Sequence, residues 1–291
     1  WIKEFLAFCE KKGLPVDFVS THPYPNSYPL YSYGRPCYKD ENGTYDAFFW
    51  LNEAIHATPY RDAEIHITEW NSSPNCRDLV HDTAFMAPFI IQNHLKTIGM
   101  VDTIGFWTFT DVFEEESLGQ SVFHGGFGLC NVQGLKKPSY HGFWFLSRLG
   151  NEILEQGDHY IVTRKEDRVQ VLLWNYCHYC DTYANGDPTC ISQYDRYPAF
   201  EEKEEETFLI RLEGSAQKYR VIQYKFDREH GSVYDSWLAN GAPEPPDQEE
   251  IRILSEKAEL EAQISYPDKS ETFRMQIKPH GVTLMEFTPV E

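Results

Sequence analysis

The stretch Glu64-Ile65-His66-Ile67-Thr68, followed at once by Glu69, decides the fold. It is a short apolar run, which suits a strand buried on both faces, as in parallel sheets. Two comparable runs occur at Val16–Thr21 and Thr103–Phe106, and helical patterns separate the three. This alternation over residues 1–150 predicts an α/β fold with a parallel sheet.

The helices are predicted from apolar residues at helical spacing. They run from Ile2 to a stop at Gly13, then over Tyr45–His56, Leu79–Ile98 and Tyr140–Leu149, and Leu79–Ile98 is the longest.

After Gly150 the pattern changes to strand-like runs without long helices between them, which predicts an antiparallel sandwich. The runs are His159–Thr163, Val169–Trp174, Thr207–Leu212, Tyr219–Tyr224, Thr272–Ile277 and Val282–Phe287. We therefore divide the chain into a domain of residues 1–150 and a β-sandwich accessory domain of residues 151–291. The acidic run 201–206 and the proline-rich segment 242–246 are interpreted as solvated loops of the second domain.

Composition narrows the class of partner. The net charge of -19, from 45 acidic and 26 basic residues, would repel nucleic-acid phosphates and an anionic membrane surface. No apolar run approaches the ~18 residues of a membrane span. Aromatic residues make up 15% of the chain, and sugars stack on aromatic rings. Neutral or cationic ligands fit this charge better, and we expect a small molecule or an oligosaccharide as ligand, without nucleic-acid or membrane contacts.

The seven cysteines are odd in number and scattered, which favours reduced thiols and a cytoplasmic location. Cys177 and Cys180 have the spacing of metal ligands, but a structural zinc site would need a second pair. We expect neither a metal nor a cofactor.

Each of the three predicted strands ends on a polar or aromatic side chain, namely His22, Glu69 and Trp107. In (β/α) barrels the active site forms at the C-terminal ends of the strands, so these side chains should face one pocket. Each residue also has a structural interpretation. His22 could be a core histidine, Glu69 an ion-paired structural acid and Trp107 a core aromatic residue. A glutamate in the core is disfavoured because burying an unpaired carboxylate is costly.

Three motifs resemble, in this order, the sixth, seventh and eighth barrel strands of glycoside hydrolase family 39, the β-xylosidases and related enzymes. They are Thr21-His22-Pro23-Tyr24-Pro25, Ile67-Thr68-Glu69-Trp70-Asn71-Ser72-Ser73 and Trp107-Thr108-Phe109-Thr110-Asp111-Val112-Phe113-Glu114-Glu115. The resemblance implies the C-terminal part of a (β/α)8 TIM barrel, about strands six to eight, followed by an all-β antiparallel sandwich.

The resemblance also implies roles for residues in a retaining, xyloside-cleaving site. Glu69 would be the nucleophile that forms a glycosyl-enzyme. His22 and Tyr24 would line the pocket beside it, and Trp107 would stack under the sugar. Glu114 and Glu115 would accept hydrogen bonds from sugar hydroxyls, although their acidic run is also consistent with a solvated loop.

The acid/base carboxyl of such a site is expected outside this chain. In the family it belongs to a Trp-Asn-Glu-Pro motif, whereas the similar Trp50-Leu51-Asn52-Glu53 lacks the proline and lies in a predicted helix. A full barrel takes about 250 residues. We therefore expect the chain to need the N-terminal half of the barrel and to be inactive alone. The alternative function is a sugar-binding sensor module of a bacterial transcription regulator with weak or no hydrolysis.

Overall fold

The computed structural model describes residues 1–25, 39–112, 119–212 and 216–290. The helices are α1 (Ile2–Lys12), α2 (Gly43–His56), α3 (Met86–Lys96), α4 (Pro138–Ser147), α5 (Asp181–Ala184), α6 (Val233–Ala239) and α7 (Gln248–Lys257). The strands are β1 (Phe18–Thr21), β2 (Glu64–Trp70), β3 (Thr103–Phe106), β4 (Glu152–Gly157), β5 (Tyr160–Lys165), β6 (Arg168–Trp174), β7 (Glu206–Arg211), β8 (Lys218–Phe226), β9 (Ala262–Ser265), β10 (Thr272–Ile277) and β11 (Val282–Val290).

The first three strands form a parallel sheet in the order β1-β2-β3. Thr21 pairs with Ile67, and Trp70 pairs with Phe106, so all three strands end at the same edge. Helices connect the strands, and the prediction of an α/β fold with parallel strands is confirmed for this part of the chain. None of the helices in the described ranges is long and apolar enough to cross a membrane.

The strands after Gly150 pair antiparallel, as predicted. Six of them form a sheet in the order β4-β5-β6-β11-β8-β9, and β7 and β10 form a separate pair. Val171, Met285 and Phe287 on the larger sheet cluster with Phe208 and Phe273 on the pair. The smaller sheet therefore packs on one face of the larger one.

The opposite face of the larger sheet packs against the α/β part of the chain. Trp174 of β6 donates a hydrogen bond from Nε1 to Gln92 Oε1 of α3 at 3.2 Å. Phe85 stacks on Phe200 with ring centroids 4.7 Å apart. The main hydrophobic core thus includes side chains from before and after Gly150, and the division of the chain there stays a prediction.

Two predicted features are wrong. The single helix predicted over Leu79–Ile98 is a 3-10 turn at Leu79–Asp82 followed by α3, with Thr83 in an extended conformation between them. The series of strands after Gly150 is interrupted by α6 and α7, which lie between β8 and β9.

Each difference has a physical cause in the contacts of these residues. The Asp78 carboxylate caps the short turn by accepting a hydrogen bond from Val80 N at 3.4 Å, and the Asp82 side chain is engaged by Arg196. Helix α7 begins with a capping box, in which Asp247 and Glu250 each accept a hydrogen bond from the other's backbone N–H.

Candidate active site

Glu69 lies where the regular pattern of β2 breaks. Ile65 and Ile67 alternate as buried residues, but the next buried side chain is Trp70. The pairing of β2 with β3 shifts register between Ile67 and Trp70. Such irregularities re-aim side chains next to active sites. Here Trp70 enters the core and stacks on Phe89, whereas Glu69 stays half-buried at the end of the strand.

The strand ends bring the predicted site residues to the same edge of the sheet. Tyr24 OH donates a hydrogen bond to Glu69 Oε2 at 3.3 Å. His22 directly follows β1 and is exposed. Trp107 directly follows β3, is half-buried, and donates its backbone N–H to Trp70 O at 2.9 Å. Geometry therefore places Tyr24 in contact with Glu69, and His22 and Trp107 at the ends of the two neighbouring strands.

Asn71 connects the end of β2 to the segment that follows β3. Its side chain is fully buried. The amide nitrogen donates to Trp107 O at 2.5 Å and to Phe127 O at 3.3 Å, while Oδ1 accepts from Ser72 N at 2.7 Å. Asn71 thus fixes the backbone carrying Trp107 relative to the strand carrying Glu69.

The chain after Asn71 is held by a buried ion pair. Lys39 Nζ lies 2.9 Å from Asp78 Oδ2, which also accepts a hydrogen bond from Ser73 Oγ at 2.6 Å. Burial alone would raise the pKa of Asp78, but the Lys39 ammonium and the hydrogen bonds hold that pKa well below its usual range. Asp78 therefore serves as a charged anchor rather than a proton donor.

A second buried cluster of charges anchors the loop that follows Trp107. Lys137 Nζ lies 2.6 Å from Asp82 Oδ1 and 3.1 Å from both carboxylate oxygens of Asp111. Arg196 Nη1 lies 2.7 Å from Asp82 Oδ2. Burial opposes charge on Asp82, yet Lys137 and Arg196 lower its pKa. We call Asp82, Asp111, Lys137 and Arg196 the buried charge cluster.

The glycine-rich segment Gly125–Gly128 wraps around this cluster. Gly125 N donates to Asp82 Oδ2 and Gly128 N to Asp111 Oδ1, both at 2.7 Å. Gly125 has a φ of 77°, and a Cβ there would lie 2.6 Å from the backbone of Asp78. Only glycine meets both conditions without strain. The sequence motifs gave no indication of the charges beneath this segment.

The remaining predicted positions have different outcomes. Glu114 and Glu115 lie outside the described residues. Asn52 and Glu53 lie in α2, as predicted: Asn52 donates to Met100 O at 2.8 Å, and Glu53 is exposed.

One group of side chains in the described ranges has the spacing of metal ligands. The ligand atoms of Asp227, Glu229 and His230 lie within 4.8 Å of one another. However, Lys225 Nζ lies 2.9 Å from Asp227, and Lys278 Nζ lies 2.9 Å from Glu229. Two ammonium groups already neutralise these carboxylates, so we assign no metal to this group.

Comparison with known proteins gives one family and several similar proteins. The sequence model of glycosyl hydrolases family 39 matches residues 1–272. A β-xylosidase of Geobacillus stearothermophilus is 37% identical over 60% of this chain and 36% of its own length. A β-xylosidase of Caldicellulosiruptor saccharolyticus is 28% identical over 97% of this chain and 56% of its own length.

Among solved structures, a monomeric β-xylosidase from Caulobacter crescentus CB15 superposes with a TM-score of 0.85 at 23% identity. The superposition covers 100% of this chain and 59% of that protein. At this level of identity the likeness concerns the fold. The chain thus spans between about a third and three fifths of the length of these proteins.

Proposed function

The chain belongs to glycosyl hydrolase family 39, and from that membership we propose that it is part of a retaining β-xylosidase whose nucleophile is Glu69. The observation that carries the proposal is the position of this carboxylate. It lies half-buried at the end of the central parallel strand, where β2 loses its register and Trp70 takes the core position. A carboxylate so placed is accessible to a substrate above the strand ends.

In the proposed reaction a Glu69 carboxylate oxygen attacks the anomeric carbon of a terminal xylosyl unit. The bond from that carbon to the leaving-group oxygen breaks, and a glycosyl-enzyme ester forms on Glu69. Water, which gives a proton to a second carboxyl, then attacks the same carbon from the opposite side; the bond from that carbon to Glu69 breaks, and the sugar leaves with its anomeric configuration retained. The hydrogen bond from Tyr24 to Oε2 orients the carboxylate for attack.

Trp107 and His22 are proposed to shape the sugar site beside Glu69. The backbone of Trp107 is fixed by hydrogen bonds to Trp70 and Asn71, so its indole can serve as a platform for the sugar ring. His22 follows the neighbouring strand and offers polar ring nitrogens near the same edge. The roles proposed for Glu114 and Glu115, as acceptors for sugar hydroxyls, rest on the sequence motif.

A second carboxyl must protonate the leaving oxygen, about 5–5.5 Å from the nucleophile in retaining enzymes. We propose that it comes from a further segment that completes a (β/α)8 barrel around β1, β2 and β3, with residues 151–291 as a β-sandwich accessory domain. Exposed apolar side chains lie on α1, β1 and α2 and at Trp1, and β1 is at the end of its sheet. They are Trp1, Phe5, Phe8, Phe18, Phe49 and Trp50. A surface of this kind is typical of an interface.

The test is covalent trapping in the full-length protein that contains these residues. A 2-deoxy-2-fluoro-xyloside with a good leaving group should form a stable ester, and peptide mass spectrometry should locate the sugar on Glu69. Glu69→Gln, which keeps the shape of the side chain, should give no adduct.

Two outcomes would contradict the proposal. An adduct on another carboxylate would remove Glu69 as nucleophile. Xylose binding without an adduct or turnover would favour the sugar-binding sensor instead.

A further inference from the structure

The loop of residues 119–131 is held by side chains from the region after Gly150. Gln193 Nε2 donates to Ser121 Oγ and to Phe123 O, both at 2.7 Å. Glu244 Oε1 accepts from Val122 N at 2.9 Å and also from Ser121 Oγ. We call Gln193 and Glu244 the latch. The segment 242–246, interpreted from sequence as a solvated loop, thus contributes a specific contact.

The core beneath the latch is also shared between the two regions. Phe123 is fully buried and packs its ring edge against Tyr234 and Trp237 of α6. Arg196 Nη2 donates to Phe123 O at 2.5 Å, and its guanidinium lies 4.1 Å from the centre of the Tyr234 ring. These contacts fold the loop onto α6, whereas the latch adds polar contacts at its surface.

The other end of the same loop contacts the candidate active site directly. Phe127 O accepts hydrogen bonds from Thr108 N and from Asn71 Nδ2, each at 3.3 Å. Leu129 N donates to Thr108 O at 3.1 Å. The loop is therefore bonded through its backbone to the residue next to Trp107. A displacement of the loop would be transmitted to the indole.

We propose that Gln193 and Glu244 are positioning residues, which fix the loop 119–131 and through it the sugar platform Trp107. The region after Gly150 then contributes to substrate affinity without touching the sugar. This inference rests on the proposed function. Glu244 is exposed and Gln193 half-buried, so neither is required to fill the core, and their removal should leave the fold intact.

The experiment compares the full-length protein with the double variant Gln193→Ala/Glu244→Ala. We expect KM for an aryl xyloside to rise by about 10-fold, because a displaced indole loses its stacking contact with the sugar in the ground state and in the transition state. The value of kcat should change much less, because a stacking platform binds the ground state and the transition state alike. Hydrogen exchange of the amides in 121–131 should become faster.

Two further variants serve as controls. Glu244→Gln keeps an acceptor oxygen for Val122 N–H and should keep KM near the wild-type value, whereas Glu244→Ala should raise it. Arg164→Ala breaks the exposed ion pair with Glu152 between β4 and β5, far from the loop in the chain, and should leave KM and exchange unchanged.

The outcomes separate the two proposals. A raised KM together with faster exchange supports the latch. Faster exchange with unchanged KM, or no change in either, overturns the positioning role while turnover of the wild type stands. If the wild type shows no turnover, the proposed function is overturned, and the positioning role with it. In that case the Arg164→Ala control is equally inactive.

Discussion

Glu69 and Asp82 are thirteen positions apart in the chain, and their surroundings are opposite. Glu69 is half-buried and accepts a hydrogen bond of 3.3 Å from Tyr24. Asp82 is completely buried, with Lys137 at 2.6 Å and Arg196 at 2.7 Å. A buried charge is tolerated only when it is paired and hydrogen-bonded. Glu69 is therefore partly open to solvent, whereas Asp82 is bound entirely within the fold.

The same difference distinguishes the two ends of the loop after β3. Near Trp107 the contacts are hydrogen bonds from the Asn71 side chain to backbone carbonyls, whereas farther along they are ion pairs of the buried charge cluster. The buried charge cluster holds the far part of the loop in place. The candidate site includes Trp107, at the near end of the same loop. Changes at the two locations should therefore have different consequences for stability and for activity.

The largest effect on stability is expected for Lys137→Met. Lys137 has no solvent exposure and contacts both Asp82 and Asp111. Its removal leaves buried carboxylate charge without compensation, which costs about 3–5 kcal/mol. Urea denaturation of the variant should show this loss.

The matched control for Lys137→Met is Arg164→Ala, which breaks an exposed pair worth about 0–1 kcal/mol. Equal losses in the two variants would contradict the assignment of the cluster to the fold.

Stability should also fall on mild acidification because burial lowers the pKa of four histidines, namely His81, His94, His141 and His280. Burial, with help from Lys136, lowers the pKa of His141 to about 4, and burial with nearby Arg228 lowers that of His280 to about 3. In the unfolded chain all four should titrate near ~6.5. Between pH ~6.5 and the folded values the unfolded state binds more protons, so stability is highest above this range and falls as the pH decreases.

Thermal unfolding measured at pH 7, 6 and 5 checks this dependence. His280 has a φ of 61°, a conformation that asparagine tolerates. His280→Asn should therefore make Tm less sensitive to pH, whatever its effect at pH 7. An unchanged slope would contradict the explanation. The lowered pKa values of Asp78 and Asp82 contribute only at lower pH, below ~4.

A smaller effect on stability is expected for Asn71→Ala. The substitution leaves the carbonyls of Trp107 and Phe127 without this partner, at a cost of about 1–3 kcal/mol. Because Trp107 is then less fixed, kcat/KM of the full-length protein should fall as well. Asn52→Ala removes a similar amide-to-carbonyl bond in α2 and is the control. Equal losses of activity in both variants would show that Asn71 acts only through stability.

The elements that the sequence predicted best are those with local signals. Gly13 ends α1 in the left-handed conformation, with a φ of 64°, and the runs ending at Thr21 and Phe106 formed strands. In contrast, β4 and β9 were missed because nearly all of their residues are exposed and show no alternation. The capping box of Asp247 and Glu250 is a local signal for α7. This helix was missed because only strand patterns were considered after Gly150.

Features that depend on distant partners were not predictable in this way. The break before α3 involves Asp82, whose partner Arg196 lies 114 positions later in the chain. Likewise, no pattern near Ser121 indicates its contacts with Gln193 and Glu244. The pattern of strand ends did predict that His22, Glu69 and Trp107 lie at one edge of the sheet. Their catalytic roles stay predictions.

The smallest effect on stability is expected for Glu69→Gln, and its measurement tests the central claim most directly. Glu69 is half-buried and does not belong to the buried charge cluster. The free energy of unfolding of the full-length variant should therefore stay within about 0.5 kcal/mol of the wild type. Turnover of an aryl xyloside should fall by about 10⁴-fold or more, as when a nucleophile is removed. A loss of about 3 kcal/mol in stability with turnover retained would place Glu69 among the structural carboxylates and contradict the account.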